Sequence, residues 1–152
     1  MTKEELAISY FKSGYNCAQA VLLAFCEEVG IDKLTASKIS SSFGGGMGRL
    51  REVCGAVSSM FLVAGYLYGD YDPLDNQAKA KHYALIQSLA QQFKDEAGSI
   101  ICRELLEVKG AQNPTPEERN SKYYKKRVTC ADCVGLAAKI IEKMLKEKKN
   151  EN

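Results

Sequence analysis

Four glycines in five positions, Gly44-Gly45-Gly46-Met47-Gly48, divide this chain at a point that no regular element crosses. Three consecutive glycines followed by a fourth break any helix and open positive φ to the backbone. Beyond them, residues 50–69 are apolar nearly all round, which predicts a helix buried on most sides. Inside that stretch Cys54 is followed closely by Gly55, Ala56, Ser58 and Ser59, so its thiol is surrounded by very little bulk. Either another backbone packs close there or a group that is not protein does.

The flanking segments read as helices joined by short loops. Thr2 with Glu5 is a capping-box pattern for a helix to about Lys12. Asn16 is the N-cap expected for a helix over residues 17–29, ended by Gly30. Residues 35–42 form a shorter helix, and Tyr71-Asp72-Pro73 is a turn. Asp75 then caps a long amphipathic helix to about Lys94, with Tyr83, Ile86, Leu89 and Phe93 on its apolar face. A short helix over residues 99–107 carries Cys102, and Asn113-Pro114-Thr115-Pro116 is a loop. The last helix spans residues 131–146, and residues 144–152 are expected to fray into solvent. No stretch alternates with a period of two, and no repeat is present. The expectation is a single all-α domain over residues 1–152, a bundle of about six helices around a buried central helix.

Charge narrows the function classes. With 21 basic and 19 acidic side chains the formal charge is +2, too balanced to make nucleic acid or an anionic membrane the main partner. The basic stretch over residues 122–127 contains two tyrosines and reads as a solvated loop anchored on the core rather than a base-stacking surface. The longest apolar run, residues 56–68, is interrupted by serines and a glycine and is too short to span a bilayer. No apolar leader follows the initiating Met, so a cytoplasmic location is expected.

That location gives weight to the six cysteines, Cys17, Cys26, Cys54, Cys102, Cys130 and Cys133. Structural disulfides are uncommon in a reducing compartment, which leaves packing, metal binding or redox chemistry. Cys17, Cys54, Cys102 and Cys130 all fall near predicted helix starts, where the dipole and unpaired N–H groups favour thiolate. Cys26 falls at mid-helix between Phe25 and Val29 and reads as core. Cys130-Ala131-Asp132-Cys133 is a CxxC, but it lacks the βαβ setting of a thioredoxin-like dithiol and the following His of a haem attachment. There is no second CxxC, and the single histidine, His82, reads as a surface residue on its helix. No serine–histidine or paired-carboxylate pattern suggests hydrolysis. The glycine run lacks the lysine of a phosphate-binding loop.

GYNCAQAV, FGGGMGRLREVCGAVS, CRELL and CADCV together resemble the C_GCAxxG_C_C family, to which a redox role is ascribed without an established reaction. The resemblance covers nearly the whole chain and implies an all-helical domain. It maps the family's four characteristic cysteines onto Cys17, Cys54, Cys102 and Cys130, and leaves Cys26 and Cys133 as additions. The family's CGAxxG motif ends here in Ser59, whose hydroxyl occupies space that glycine leaves empty. Similar domains accompany haem segments in split-Soret cytochromes, which implies an iron–sulfur cluster, but this chain has no haem-attachment sequence.

The leading expectation is therefore an iron–sulfur cluster or other soft metal held by Cys17, Cys54, Cys102 and Cys130 for electron transfer or sensing. Gly55, Ala56, Ser58 and Ser59 would make room for it, and backbone N–H groups of the glycine loop, Gly45 and Gly46 included, would hydrogen-bond its sulfides, with Arg49 and Arg51 as counter-charges. Two other readings stay open. Pairs such as Cys17/Cys54 and Cys102/Cys130 would cycle between dithiol and disulfide without metal. Or the cysteines only pack, with Gly55 and Ser59 forming a small helix–helix contact. A redox partner protein is expected without being identified, and a two-fold homodimer is the default assembly.

Overall fold

A computed structural model describes residues 1–106 and 129–151. The proline-containing loop and the basic stretch over residues 122–127 lie outside the described residues. Helices make up the fold: α1 (Lys3–Lys12), α2 (Cys17–Ala24), α3 (Cys26–Val29), α4 (Lys33–Ser40), α5 (Gly44–Met47), α6 (Gly55–Tyr68), α7 (Asn76–Ala97), α8 (Cys102–Leu106) and α9 (Cys130–Asn150). A 3-10 turn, Ser41–Phe43, joins α4 to α5. Among the described residues no strand forms, and six helices have eight residues or more, so the all-α expectation holds.

Local signals set most of the boundaries. Thr2 accepts from the Glu5 amide, and Asn16 makes a complete capping box with Gln19. Asp75 accepts from the amides of Gln77 and Ala78. The predicted 17–29 helix is broken at Phe25, where φ −114° and ψ 17° leave helical space, and it resumes as α3 up to left-handed Gly30. α4 begins at Lys33, two residues before the predicted start, because Asp32 caps it by accepting from the Thr35 amide.

Two expectations are corrected. The central helix starts at Gly55 rather than near residue 50, because Val53 forms an antiparallel bridge with Ile101. The Cys54 amide donates to Ile100 O (2.8 Å) and the Cys102 amide to Glu52 O (2.6 Å). Burial along α6 ends at Ala64; Tyr66 is 61% exposed. The C-terminal tail does not fray where predicted. Met144 is buried, the helix continues to Asn150, and the Lys148 ammonium lies 5.3 Å from the Tyr68 ring centre.

α2 is the most enclosed helix, with Ala18 and every residue from Ala20 to Ala24 buried. It packs against α1, α4, α6 and α9, while α1 lies along α9. Phe11, Phe25 and Phe93 are fully buried around it. Each such side chain contributes about 1.5–3 kcal/mol through burial. This core fixes the starts of α2, α6 and α9, and those starts carry cysteines.

Candidate functional site

Each of the four predicted cysteines sits at a helix start. Cys17 is the first residue of α2, Cys102 of α8 and Cys130 of α9, and Cys54 is the N-cap residue of α6. Asn16 holds the first of these starts. Its side chain accepts from the Gln19 amide at 2.8 Å and donates to Ser41 O at 3.0 Å. Thr129 holds another, through a capping box with Asp132, the acidic residue inside the CxxC. The bridge between Val53 and Ile101 sets the remaining two side by side.

All four line one cavity of about 270 Å³, and Cys133 lines it too. Gly45, Gly55, Arg49 and Arg51 contribute to the same wall. Cys133 is the residue that the sequence reading left out. Its signal was the CxxC spacing, because positions three apart share a helix face. Cys26 does not border the cavity and is buried in the core cluster, as expected, but the break at Phe25 makes it the first residue of α3 rather than a mid-helix residue. His82 packs beside the Tyr71 ring, at 5.9 Å between ring centres.

The small residues after Cys54 divide between two tasks. A Cβ on Gly55 would lie 2.6 Å from Cys17 Sγ and 2.8 Å from Phe43 O. Glycine at this position therefore leaves room for the neighbouring thiol. Ser59, one turn on, faces α2 away from the cavity wall, and its hydroxyl donates to Ala18 O at 2.5 Å. Gly46 is also behind the wall: a Cβ there would lie 2.6 Å from Cys102 Cβ and 2.9 Å from Glu52 N, and its φ of +69° is unfavourable to side chains.

The thiols are not equivalent. Cys17 is hydrogen-bonded to Cys54, and Cys54 also to Cys133. The hydrogen bond to Cys54, followed by burial, raises the Cys17 thiol well above its ordinary range, although the Gly45 and Ala18 amides act in the opposite direction. The hydrogen bond with Cys133 raises Cys54 similarly, with burial adding to it. Burial also raises Cys102, opposed by the Arg51 guanidinium, whose Nη1 lies 3.6 Å from Cys102 Sγ. The helix-start argument for ready thiolates is therefore corrected at these three positions. Contact between thiols and burial raise Cys17 and Cys54, and burial raises Cys102.

Among the described residues no His, Asp or Glu lines the cavity, and the cysteine sulfurs are the metal-ligating groups there. Such sets suit soft metals and iron–sulfur clusters. A single tetrahedral ion needs every sulfur about 2.3 Å from one point. No group of three or more His, Cys, Asp or Glu side chains among the described residues is placed to hold one ion. Buried Arg51 places positive charge beside Cys102.

None of the described helices is long and apolar enough to cross a membrane. No curated protein and no solved structure gives a match. One family model, described as "Putative redox-active protein (C_GCAxxG_C_C)", matches residues 15–144. That span takes in the glycine turn and every cysteine of the cavity, and the chain belongs to this family.

Proposed function

We propose that the chain is a redox protein that holds an iron–sulfur cluster, or a related soft-metal group, in the cysteine-lined cavity. The observation that carries this reading is the convergence of five cysteines from α2, α6, α8 and α9 on one cavity of about 270 Å³.

Cys17, Cys54, Cys102 and Cys130 would hold the group, which would supply one-electron chemistry when bound. The protein's own residues shape and tune the site. Gly55 keeps α6 clear of the Cys17 sulfur, and the Gly45 amide donates to that sulfur. Arg51, 3% exposed, offsets negative charge beside Cys102. Phe11, Leu105 and Leu106 line the cavity with apolar surface and limit water.

Purification without oxygen, followed by iron and sulfide analysis and a visible spectrum, tests the reading. Serine at Cys17, Cys54, Cys102 or Cys130 is expected to remove bound iron, while Cys26→Ser retains it. Iron-free protein after reconstitution, or iron that depends on Cys26 and not on Cys102, overturns it. A second reading is favoured by the direct hydrogen bond between Cys17 and Cys54, and by the packing of Cys130 against Cys102 and Leu106. In it these pairs cycle between dithiol and disulfide, and mild oxidation of metal-free protein consumes two thiols per disulfide.

A further inference from the structure

Cys54 is the middle member of a line of three thiols. It is hydrogen-bonded to Cys17 on α2 and to Cys133 on α9. Cys133 is 4% exposed and borders the same cavity as the other two. Cys17 is the outermost of the three, half-buried where Cys54 and Cys133 are buried. A sulfur can form a disulfide with only one neighbour at a time, so two partners in contact with Cys54 compete for it. We propose that Cys133 is a second disulfide partner of Cys54, exchanging with Cys17, so that an oxidising equivalent received at the cavity mouth can move inward to α9. The inference shares Cys54 with the cluster reading but does not require a cluster.

With a small-molecule disulfide as oxidant, the steps balance. The Cys17 thiolate attacks one sulfur of the oxidant, forming a mixed disulfide and releasing one small thiol. The Cys54 thiolate then attacks Cys17 Sγ, forming the Cys17–Cys54 bond and releasing the second small thiol. Two protein thiols have been oxidised, and one disulfide has been reduced to two thiols that carry away the protons. Finally the Cys133 thiolate attacks Cys54 Sγ. The Cys54–Cys133 bond forms, the Cys17–Cys54 bond breaks, and Cys17 takes up the proton that Cys133 gave up. This last step involves no net oxidation. In either disulfide Cys54 is unavailable as a ligand, but only the second leaves Cys17 a free thiol beside Cys102 and Cys130.

The test uses the full chain, reduced and kept with a chelator, then equilibrated at graded ratios of oxidised to reduced glutathione. Free thiols are alkylated, and cross-linked peptides are mapped by mass spectrometry, with fragment ions separating Cys133 from Cys130. Wild-type protein is expected to give both Cys17–Cys54 and Cys54–Cys133 cross-links. In Cys133→Ser the second cross-link is lost and the first accounts for the whole Cys54 disulfide. Alkylation of Cys133 as a free thiol at every ratio in wild-type protein overturns the inference, and this result does not depend on whether a variant folds. Iron analysis of separately purified protein keeps the two proposals apart. Absence of iron overturns the cluster reading alone, and an always-free Cys133 overturns this inference alone.

Discussion

Two glycines of the same helix respond oppositely to the same substitution if the site is packed as described. Gly55 and Gly65 both lie in α6, and neither has positive φ. Around Gly65 no atom lies within 4 Å of an added Cβ. Gly65→Ala therefore gains helix propensity and reduces unfolded-state entropy, worth about 0.5–1 kcal/mol. At Gly55 the Cβ meets Cys17 Sγ at 2.6 Å, Phe43 O at 2.8 Å and Ala18 Cβ at 3.2 Å. The thiol can swing away, but the carbonyl belongs to backbone held by the glycine turn. Overpacking of this kind costs about 1–3 kcal/mol, which outweighs a propensity gain of about 0.5–1 kcal/mol. The net loss is up to about 2.5 kcal/mol. For a chain of this size one kcal/mol moves the melting temperature by roughly 2–4 °C. Thermal unfolding of reduced, metal-free protein should therefore place Gly65→Ala a few degrees above wild type and Gly55→Ala a few degrees below it. A Gly55→Ala protein as stable as Gly65→Ala would refute the close approach of Cys17 to α6, and with it the account of the small residues after Cys54.

Ser59→Ala removes the hydrogen bond to Ala18 O and should cost about 0.5–1.5 kcal/mol in denaturant unfolding, with the iron content of reconstituted protein unchanged because Ser59 lies off the cavity wall. Loss of iron in that variant would instead place Ser59 at the cofactor. Asn16→Ala breaks the capping box that positions Cys17 and the bond to Ser41 O, and should cost about 1–2 kcal/mol. Urea titration reads that loss directly. Reduced, metal-free protein should also lose stability as pH rises above about 9, the ordinary thiol value. Cys17 and Cys54 are raised when folded, so above that pH the unfolded chain has released protons that the folded chain still holds, and ∂ΔG/∂pH is negative. Urea midpoints between pH 8 and 10.5 check the sign, and Cys54→Ser should flatten the slope.

Helix starts were the most legible part of the fold, because a cap is written in one or two side chains. Asn16 and Asp75 cap the helices predicted for them, and Cys17, beside Asn16, could be placed in advance. The start of α6 was misread because Leu50 and Val53 are apolar and match a helical pattern. The place of residues 51–54 depends on residues 100–103, about fifty positions away, and local periodicity carries no information about such pairing. Leu50, just before them, is 70% exposed. Cys133 was missed for a related reason. Its spacing from Cys130 shows a shared helix face, but its contact with Cys54 depends on how α9 packs across α6. The tail was misjudged because KEKKNEN looks fully solvated, whereas Met144 and the contact between Lys148 and Tyr68 continue the helix along the core.

The glycine turn explains how an open cavity survives in a small helical protein. Gly45, Gly46, Met47, Gly48 and Arg49 all have positive φ, and Arg51 does as well. For the three non-glycine residues the left-handed region costs about 1–2 kcal/mol each. Strain of about 3–6 kcal/mol is large beside a total stability of about 5–15 kcal/mol, so surrounding structure must hold the turn. Inside the turn, the Arg51 amide donates to Gly45 O at 3.3 Å and the Glu52 amide to Gly46 O at 2.9 Å. From α8, the amides of Cys102 and Arg103 donate to Glu52 O and Arg51 O, and Arg103 Nη1 donates to Arg51 O at 3.0 Å. The turn and α8 thus brace each other, with Cys102 Cβ filling the space beside Gly46. A relaxed loop of ordinary residues would be free to fold its side chains into the space between the helix starts. A left-handed turn built mainly from glycine has few side chains with which to do so, and its backbone is fixed by α8. Among the described residues the turn presents few side chains to the cavity, and the thiols at the surrounding helix ends keep a common space to face.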